Sequence, residues 1–162
     1  EIHVSTLSDD LKTINGKSTE CLYSMPGTWE RCDIDTTRKV AEAPFVLKHK
    51  NLYYLSYSCN TFRMGNYSVG YATSKNPLGP WERAEVNPIP FRHGGYAGTG
   101  HHAFFTTSAG KLYIVYHAHK NKNTVLPRQM LISPCRFVEQ ENGPDVIVID
   151  DEIIVPVLSP KT

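Results

Sequence analysis

The sequence predicts an all-β protein made of β-propeller blades, and three observations predict it. Nine Tyr, six Phe and two Trp sit in short β-branched runs broken by eleven Gly and eleven Pro, the composition of strands punctuated by turns. No stretch of about ten residues carries helical spacing of its apolar positions. A strand–turn–strand–loop–strand pattern occurs twice, 59 residues apart, and such an internal repeat marks a modular array.

The first copy opens with Glu42-Ala43-Pro44-Phe45-Val46-Leu47, turns at His49-Lys50-Asn51, continues through Leu52–Ser58 and ends in Val69–Ser74. The second opens with His101-His102-Ala103-Phe104-Phe105-Thr106, turns at Ser108-Ala109-Gly110, continues through Lys111–His117 and ends in Arg128–Ser133. Phe45 aligns with Phe104, Tyr54 with Tyr113, Tyr57 with Tyr116 and Ser74 with Ser133, with no gap across 33 positions. Pro77-Leu78-Gly79-Pro80-Trp81 is a turn able to send the first copy into a fourth strand. Four antiparallel strands are the unit of a propeller blade. Two hairpins of a sandwich would rarely hold so long a period.

Ile2–Ser8 resembles the third strand of a blade, so residues 1–20 are expected to end a preceding blade. Residues 42–90 then form one blade and 101–157 the final one, all within a single C-terminal portion of a propeller domain spanning 1–162. The chain holds about two and three-quarter repeats, whereas a closed ring takes about four to eight blades. An open array exposes strand edges and a blade face. The missing N-terminal half is therefore expected from the same polypeptide or a second chain.

Seventeen Lys plus Arg against sixteen Asp plus Glu leave no basic footprint for nucleic acid. No run of eighteen apolar residues offers a membrane span. Glu1-Ile2-His3-Val4 has no basic region leading into an apolar one, as a signal peptide would, though a trimmed chain reads the same way. Cys21, Cys32, Cys59 and Cys135 lack C-x-x-C spacing. Its absence argues against a zinc ribbon or a thioredoxin-like motif. Cys21 and Cys32 suit a small disulfide loop in an oxidising compartment, and free thiols equally well elsewhere.

In a propeller the first strand of each blade lines the axis. The repeat puts Glu42 and His101 at the same place in successive blades, and Arg128 at the start of a third strand, which begins at the same rim. A carboxylic acid, an imidazole and a guanidinium thus gather around one mouth. Each has a plainer reading. Glu42 could be a solvated loop carboxylate, His101 a structural residue bonded to loop backbone, and Arg128 an ordinary rim ion pair. One histidine without partner ligands is weak evidence for a metal. His117, His119, Lys120 and Lys122 read as a solvated loop, and Tyr53, Tyr54 and Tyr57 as blade packing.

Glu42-Ala43-Pro44-Phe45, Tyr54-Leu55-Ser56-Tyr57-Ser58, Val69–Ser74, Pro77–Trp81, Gly98-Thr99-Gly100-His101-His102 and Tyr116-His117 occur in order and resemble glycoside hydrolase family 43. That family comprises five-bladed β-propeller β-xylosidases, α-L-arabinofuranosidases and arabinanases. The resemblance runs from about Leu7 to Val157. It implies an inverting glycosidase acting on arabinose- or xylose-containing plant polysaccharide, with an Asp base, a second Asp that tunes the acid, and a Glu acid. Glu42 matches the acid, His101 an axial histidine touching a central water or a calcium shell, and Arg128 a sugar-binding arginine. No cofactor is required, calcium at the axis being the one candidate, and a secreted or periplasmic setting is favoured.

The chain departs from the family in two places. Ala43 stands where the family usually has Gly. The two catalytic aspartates belong to blades upstream of the acid, and Asp33 and Asp35 fit neither role. The isolated chain is therefore expected to be inactive. The alternatives are a non-catalytic carbohydrate-binding propeller, or a structural segment completing another chain.

Overall fold

The computed structural model describes residues 1–31, 39–89, 93–121 and 123–157. Among the described residues, ten strands form three antiparallel sheets. Strands β1 (Ile2–Leu7) and β2 (Ile14–Leu22) make a hairpin. Strands β3 (Ala41–His49), β4 (Leu52–Cys59), β5 (Ser68–Ser74) and β6 (Glu82–Arg83) make a four-stranded meander, and β7 (Gly100–Thr106), β8 (Leu112–Asn121), β9 (Thr124–Val138) and β10 (Val146–Ile149) make another. The described residues contain no helix long and apolar enough to cross a membrane.

The middle sheet is covered on both faces. Along β4 the side chains alternate, as the pleat requires. Leu55, Tyr57 and Cys59 enter a core shared with Ile2 and Leu22 of the hairpin and with Ala41 and Ala72. Tyr54 faces the other way, into a core with Tyr71 and with Phe104, Ile114, Tyr116 and Leu131 of the last sheet. Strand β8 is buried chiefly on one face: Ile114, Tyr116 and Ala118 point inward, while on the other face Tyr113, Val115 and His117 are half-buried and His119 is buried. The outer face of the last sheet carries exposed Phe105 and Met130, with Phe105 stacked on Tyr113 at 5.4 Å. The tyrosines expected as blade packing are so placed, Tyr54 and Tyr57 being almost wholly buried.

The two four-stranded sheets repeat one another, but not without gaps. Phe45 faces Ser56 and Ala103 faces Val115. With β4 superposed on β8 at the 59-residue spacing, the first strands therefore correspond at 58. Tyr54 faces Thr73 and Tyr113 faces Pro134, so the third strands correspond at 61. The cause is loop length. Four residues separate the paired Lys48 and Tyr53, and five separate Thr106 and Leu112. An ungapped alignment absorbs that difference as a one-residue slip, which reverses the faces of a strand. Glu42 thus lies opposite Ser58 and is the counterpart of Gly100, opposite His117, not of His101. The counterpart of His101 is Ala43. Both stand in the bulge of their first strand, at φ 52° and 51°.

Polar clasps join the sheets. Asp145 Oδ2 takes Lys50 Nζ at 2.9 Å and His49 Nε2 at 2.8 Å, and those two partners hold its carboxyl below the usual range. Tyr54 donates its hydroxyl to the Asp145 carbonyl at 2.9 Å, and the Ile147 amide donates to the Tyr71 hydroxyl at 3.2 Å. Between the hairpin and the middle sheet the segment Tyr23–Arg31 is pinned by Glu30, 1% exposed. Its Oε1 accepts from Tyr57 Oη at 2.6 Å and Arg83 Nε at 2.7 Å, and its Oε2 from the Met25 amide at 2.8 Å. Trp29 lies against Gly70, where an added Cβ would fall 2.3 Å from the indole.

Removing one member of a buried ion pair strands the other charge. Arg83→Met is expected to lower unfolding free energy by about 3–5 kcal/mol, measured by urea denaturation of the full-length protein. A cost below about 1 kcal/mol, the value of an exposed pair, would show that Glu30 is solvated.

Candidate active site

Glu42 enters β3 at its first turn, beside the bulge, and is half-buried. The hydroxyl of Tyr67, immediately before β5, donates to Glu42 Oε1 at 2.7 Å. His101 Nδ1 lies 3.4 Å from the same phenol oxygen. His117 of β8 stacks on the Tyr67 ring at 5.5 Å and faces the His101 ring at 6.3 Å. Arg128 NH1 lies 3.4 Å from His117 Nε2, and its guanidinium covers the Phe62 ring at 4.9 Å. Glu42, His101 and Arg128 are therefore brought to one place, through Tyr67 and His117. Arg128 sits inside β9, opposite His119, rather than at the strand's start. His101, His117, Arg128 and Met130 line a depression of about 610 Å³ on the last sheet.

The segment Gly98–His102 has a steric explanation. A Cβ on Gly98 would meet the His119 ring at 2.4 Å, and one on Gly100 the Tyr67 ring at 2.3 Å. Each glycine is a seat for an aromatic ring. The two serines of β4 face the same segment: Ser58 Oγ accepts from the His101 amide at 2.9 Å, and Ser56 Oγ bonds His102 Nε2 at 2.7 Å. Small side chains at these positions let the last sheet approach β4 closely.

His117 and His119 do not form a solvated loop. Strand β8 runs on to Asn121, His119 is 5% exposed, and its Nε2 bonds the Phe62 carbonyl at 2.7 Å. Pairing with β9 extends the strand past the point where composition alone suggests a loop. Burial, then the charge of Arg128, pushes the His117 imidazole down to about 4. It is neutral at pH 7 and can accept from Arg128. Burial keeps Tyr67 protonated well above its ordinary range, with the Glu42 carboxylate adding to the effect.

A calcium ion takes six to eight oxygen ligands. Near His101 the Glu42 carboxylate is the charged oxygen group, with Oε1 accepting from Tyr67. The one grouping of three potential ligands among the described residues is Glu1, His3 and Glu20, exposed on the β1–β2 hairpin. Cys21, Cys59 and Cys135 are thiols, and Cys32 of the suggested Cys21–Cys32 loop lies outside the described residues, as do Asp33 and Asp35.

Sequence reasoning missed Tyr67, Ser58 and His117. A usable signal existed for Tyr67: it precedes the third strand of the first copy, at the rim where that strand begins.

Residues 1–142 match the family described as Glycosyl hydrolases family 43, and the chain belongs to it. A crystal structure of an endo-1,4-beta-xylanase from Bacteroides thetaiotaomicron VPI-5482 superposes with TM-score 0.80 at 33% identity, over 94% of this chain and 50% of that one. A thermostable family-43 glycoside hydrolase superposes with TM-score 0.80 at 29% identity, over 99% and 50%. The beta-D-galactofuranosidase xynD of Aspergillus niger is 30% identical over 82 residues, 51% of this chain and 24% of that protein. The chain thus spans about half the length of the family-43 structures it matches, and its antiparallel sheets correspond to about half of such a propeller.

The bulge of β3 puts the backbone after Glu42 in a left-handed conformation. Ala43 holds φ 51°, a left-handed conformation that strains a side chain bearing Cβ. Ala43→Gly is expected to stabilise the full-length protein by about 1 kcal/mol in urea denaturation; a destabilising sign would mean that the Ala43 methyl packs usefully.

Burial, with a smaller push from His101, holds the His102 ring down at about 3. The unfolded chain takes up this proton below about 6.5 while the folded chain does not. The contribution of neutral His102 is thus complete above that pH and is lost as pH falls toward the folded value. Stability should fall by about 1.4 kcal/mol per pH unit from this group. His102→Gln should flatten the stability profile between pH 6 and 4 by roughly that slope; an unchanged profile would place His102 in contact with solvent.

Proposed function

We propose that the chain supplies the general acid of an inverting glycosidase acting on xylose- or arabinose-containing plant polysaccharides or oligosaccharides. The observation that carries this reading is the Glu42 carboxyl at the head of an inner strand, held on one oxygen by Tyr67 beside His101, His117 and Arg128. A glycosidic oxygen leaves as an alkoxide unless a proton reaches it as the bond breaks, and a positioned carboxylic acid provides that proton. In an inverting enzyme the base stands about 6.5–9.5 Å away and activates water on the opposite face of the sugar. That base belongs to the remaining half of the propeller. His101 and Arg128 provide donors for sugar hydroxyls.

The substrate class is supported by the family and by the xylanase structure, the solved relative at 33% identity. The partner is the other half of the domain, docked on the outer face of the last sheet, where Phe105 and Met130 are exposed. Exposed apolar positions on an open sheet face mark a surface that another element covers.

The test uses the full-length protein with xylo- and arabino-oligosaccharides and galactofuranosides as substrates. Glu42→Gln keeps the shape but removes the transferable proton. It should cost about 10²–10⁴-fold in kcat on oligosaccharides and far less on activated aryl glycosides, whose leaving groups depart unprotonated. The alkaline limb of the pH profile should disappear. Near-normal oligosaccharide turnover with that limb intact would overturn the assignment. Binding without turnover in the wild type would identify a carbohydrate-binding propeller instead.

A further inference from the structure

Tyr67 is fully buried, yet its hydroxyl is not used to hold the fold together as those of Tyr54 and Tyr57 are. Tyr54 bonds a carbonyl and Tyr57 bonds the structural Glu30. Tyr67 alone points its hydroxyl at the candidate acid, 2.7 Å from Glu42 Oε1. Its ring cannot drift. One edge rests on Gly100, where even a methyl group would collide at 2.3 Å, and a face is stacked by His117 at 5.5 Å.

The direction of its proton follows from the acceptors in reach. An ionised carboxylate oxygen can only accept, and the phenol donates to Glu42 Oε1 at 2.7 Å. His101 Nδ1, at 3.4 Å, is the more distant partner. Ser58 Oγ accepts from the His101 amide at 2.9 Å and so ties the first strand of the last sheet to β4 beside the pair.

We infer that Tyr67 is the positioning residue of the acid: it occupies Oε1 of Glu42 and so assigns the transferable proton to Oε2. This rests on the reading of Glu42 as general acid. A carboxyl free to rotate presents its proton from either oxygen, and only one can face the leaving group. With Oε1 accepting from a phenol, the proton sits on Oε2. The transfer is balanced: the Oε2–H bond breaks, a bond forms to the glycosidic oxygen, and the carboxylate left behind keeps the Tyr67 hydrogen bond. That bond strengthens as charge appears on the acid. The other titratable or charged groups around the pair are Cys59 of β4, His101 of β7, His117 of β8 and Arg128 of β9.

The experiment is a double-mutant cycle on the full-length protein, with Tyr67→Phe, Glu42→Gln and both together. Phe keeps the ring on Gly100 and beneath His117, and an unchanged melting temperature checks that packing. Tyr67→Phe should lower kcat on oligosaccharides about ten- to hundredfold with little change in KM, the scale of a hydrogen bond to a charged group. A donor to the carboxylate favours its ionised form. The alkaline limb of kcat/KM should therefore move to higher pH. In the Glu42→Gln background Tyr67→Phe should cost nothing further. Equal losses in both backgrounds, or an unmoved limb, would overturn the inference while leaving Glu42 as the acid. A Glu42→Gln enzyme of normal activity would overturn both.

Discussion

Strand β4 has no face toward solvent, and most of the molecule answers to that constraint. Its odd-numbered residues, Leu55, Tyr57 and Cys59, must pack against the hairpin side, and its even-numbered residues, Tyr54, Ser56 and Ser58, against the last sheet. A strand buried on both sides has no water for its polar groups, so each hydroxyl needs a partner within the protein. Tyr57 finds Glu30, Tyr54 the Asp145 carbonyl, Ser56 His102, and Ser58 the His101 amide. These bonds set the distance and angle at which the neighbouring sheets meet the middle one.

The site grows from the same requirement. Ser58 is small because the first strand of the last sheet passes close over it, and its hydroxyl is fixed because it must satisfy a buried amide. Tyr67 enters the gap left by Gly100. Glu42 is consequently met by a neutral phenol rather than by a counter-ion. A cation beside it would favour the ionised carboxylate. The guanidinium of Arg128 is instead displaced toward Phe62 and His117, and the neutral His117 ring stands between it and the phenol.

Two of the left-handed non-glycine positions fall beside this site. Ala43 and His101 both take left-handed backbone conformations in the bulges of their strands. A bulge bends the strand and re-aims the neighbouring side chain. In one sheet it presents Glu42, and in the other it turns the His101 ring toward Tyr67. The same device, used twice at corresponding places, brings two sheets to a common rim.

The amino-acid sequence by itself determined the strands and their grouping. Alternation, aromatic content and turn residues are local properties, and each blade-like sheet is a meander of neighbours in sequence, so pattern reaches it. Glu42 and His101 stood out in the sequence because they lie near the heads of the first strands of two copies, whereas Arg128 lies inside β9. Family membership, too, rests on motifs that stand in order along the chain. Tertiary structure decided the register between the copies, since one extra turn residue moves Glu42 onto Gly100 rather than His101. It also decided the parts played by Tyr67, Ser58, His117 and Glu30. Tyr67 meets Glu42 across 25 residues, Ser58 meets His101 across 43, and Glu30 meets Arg83 across 53. Burial and direction at such separations arise only when sheets pack face to face.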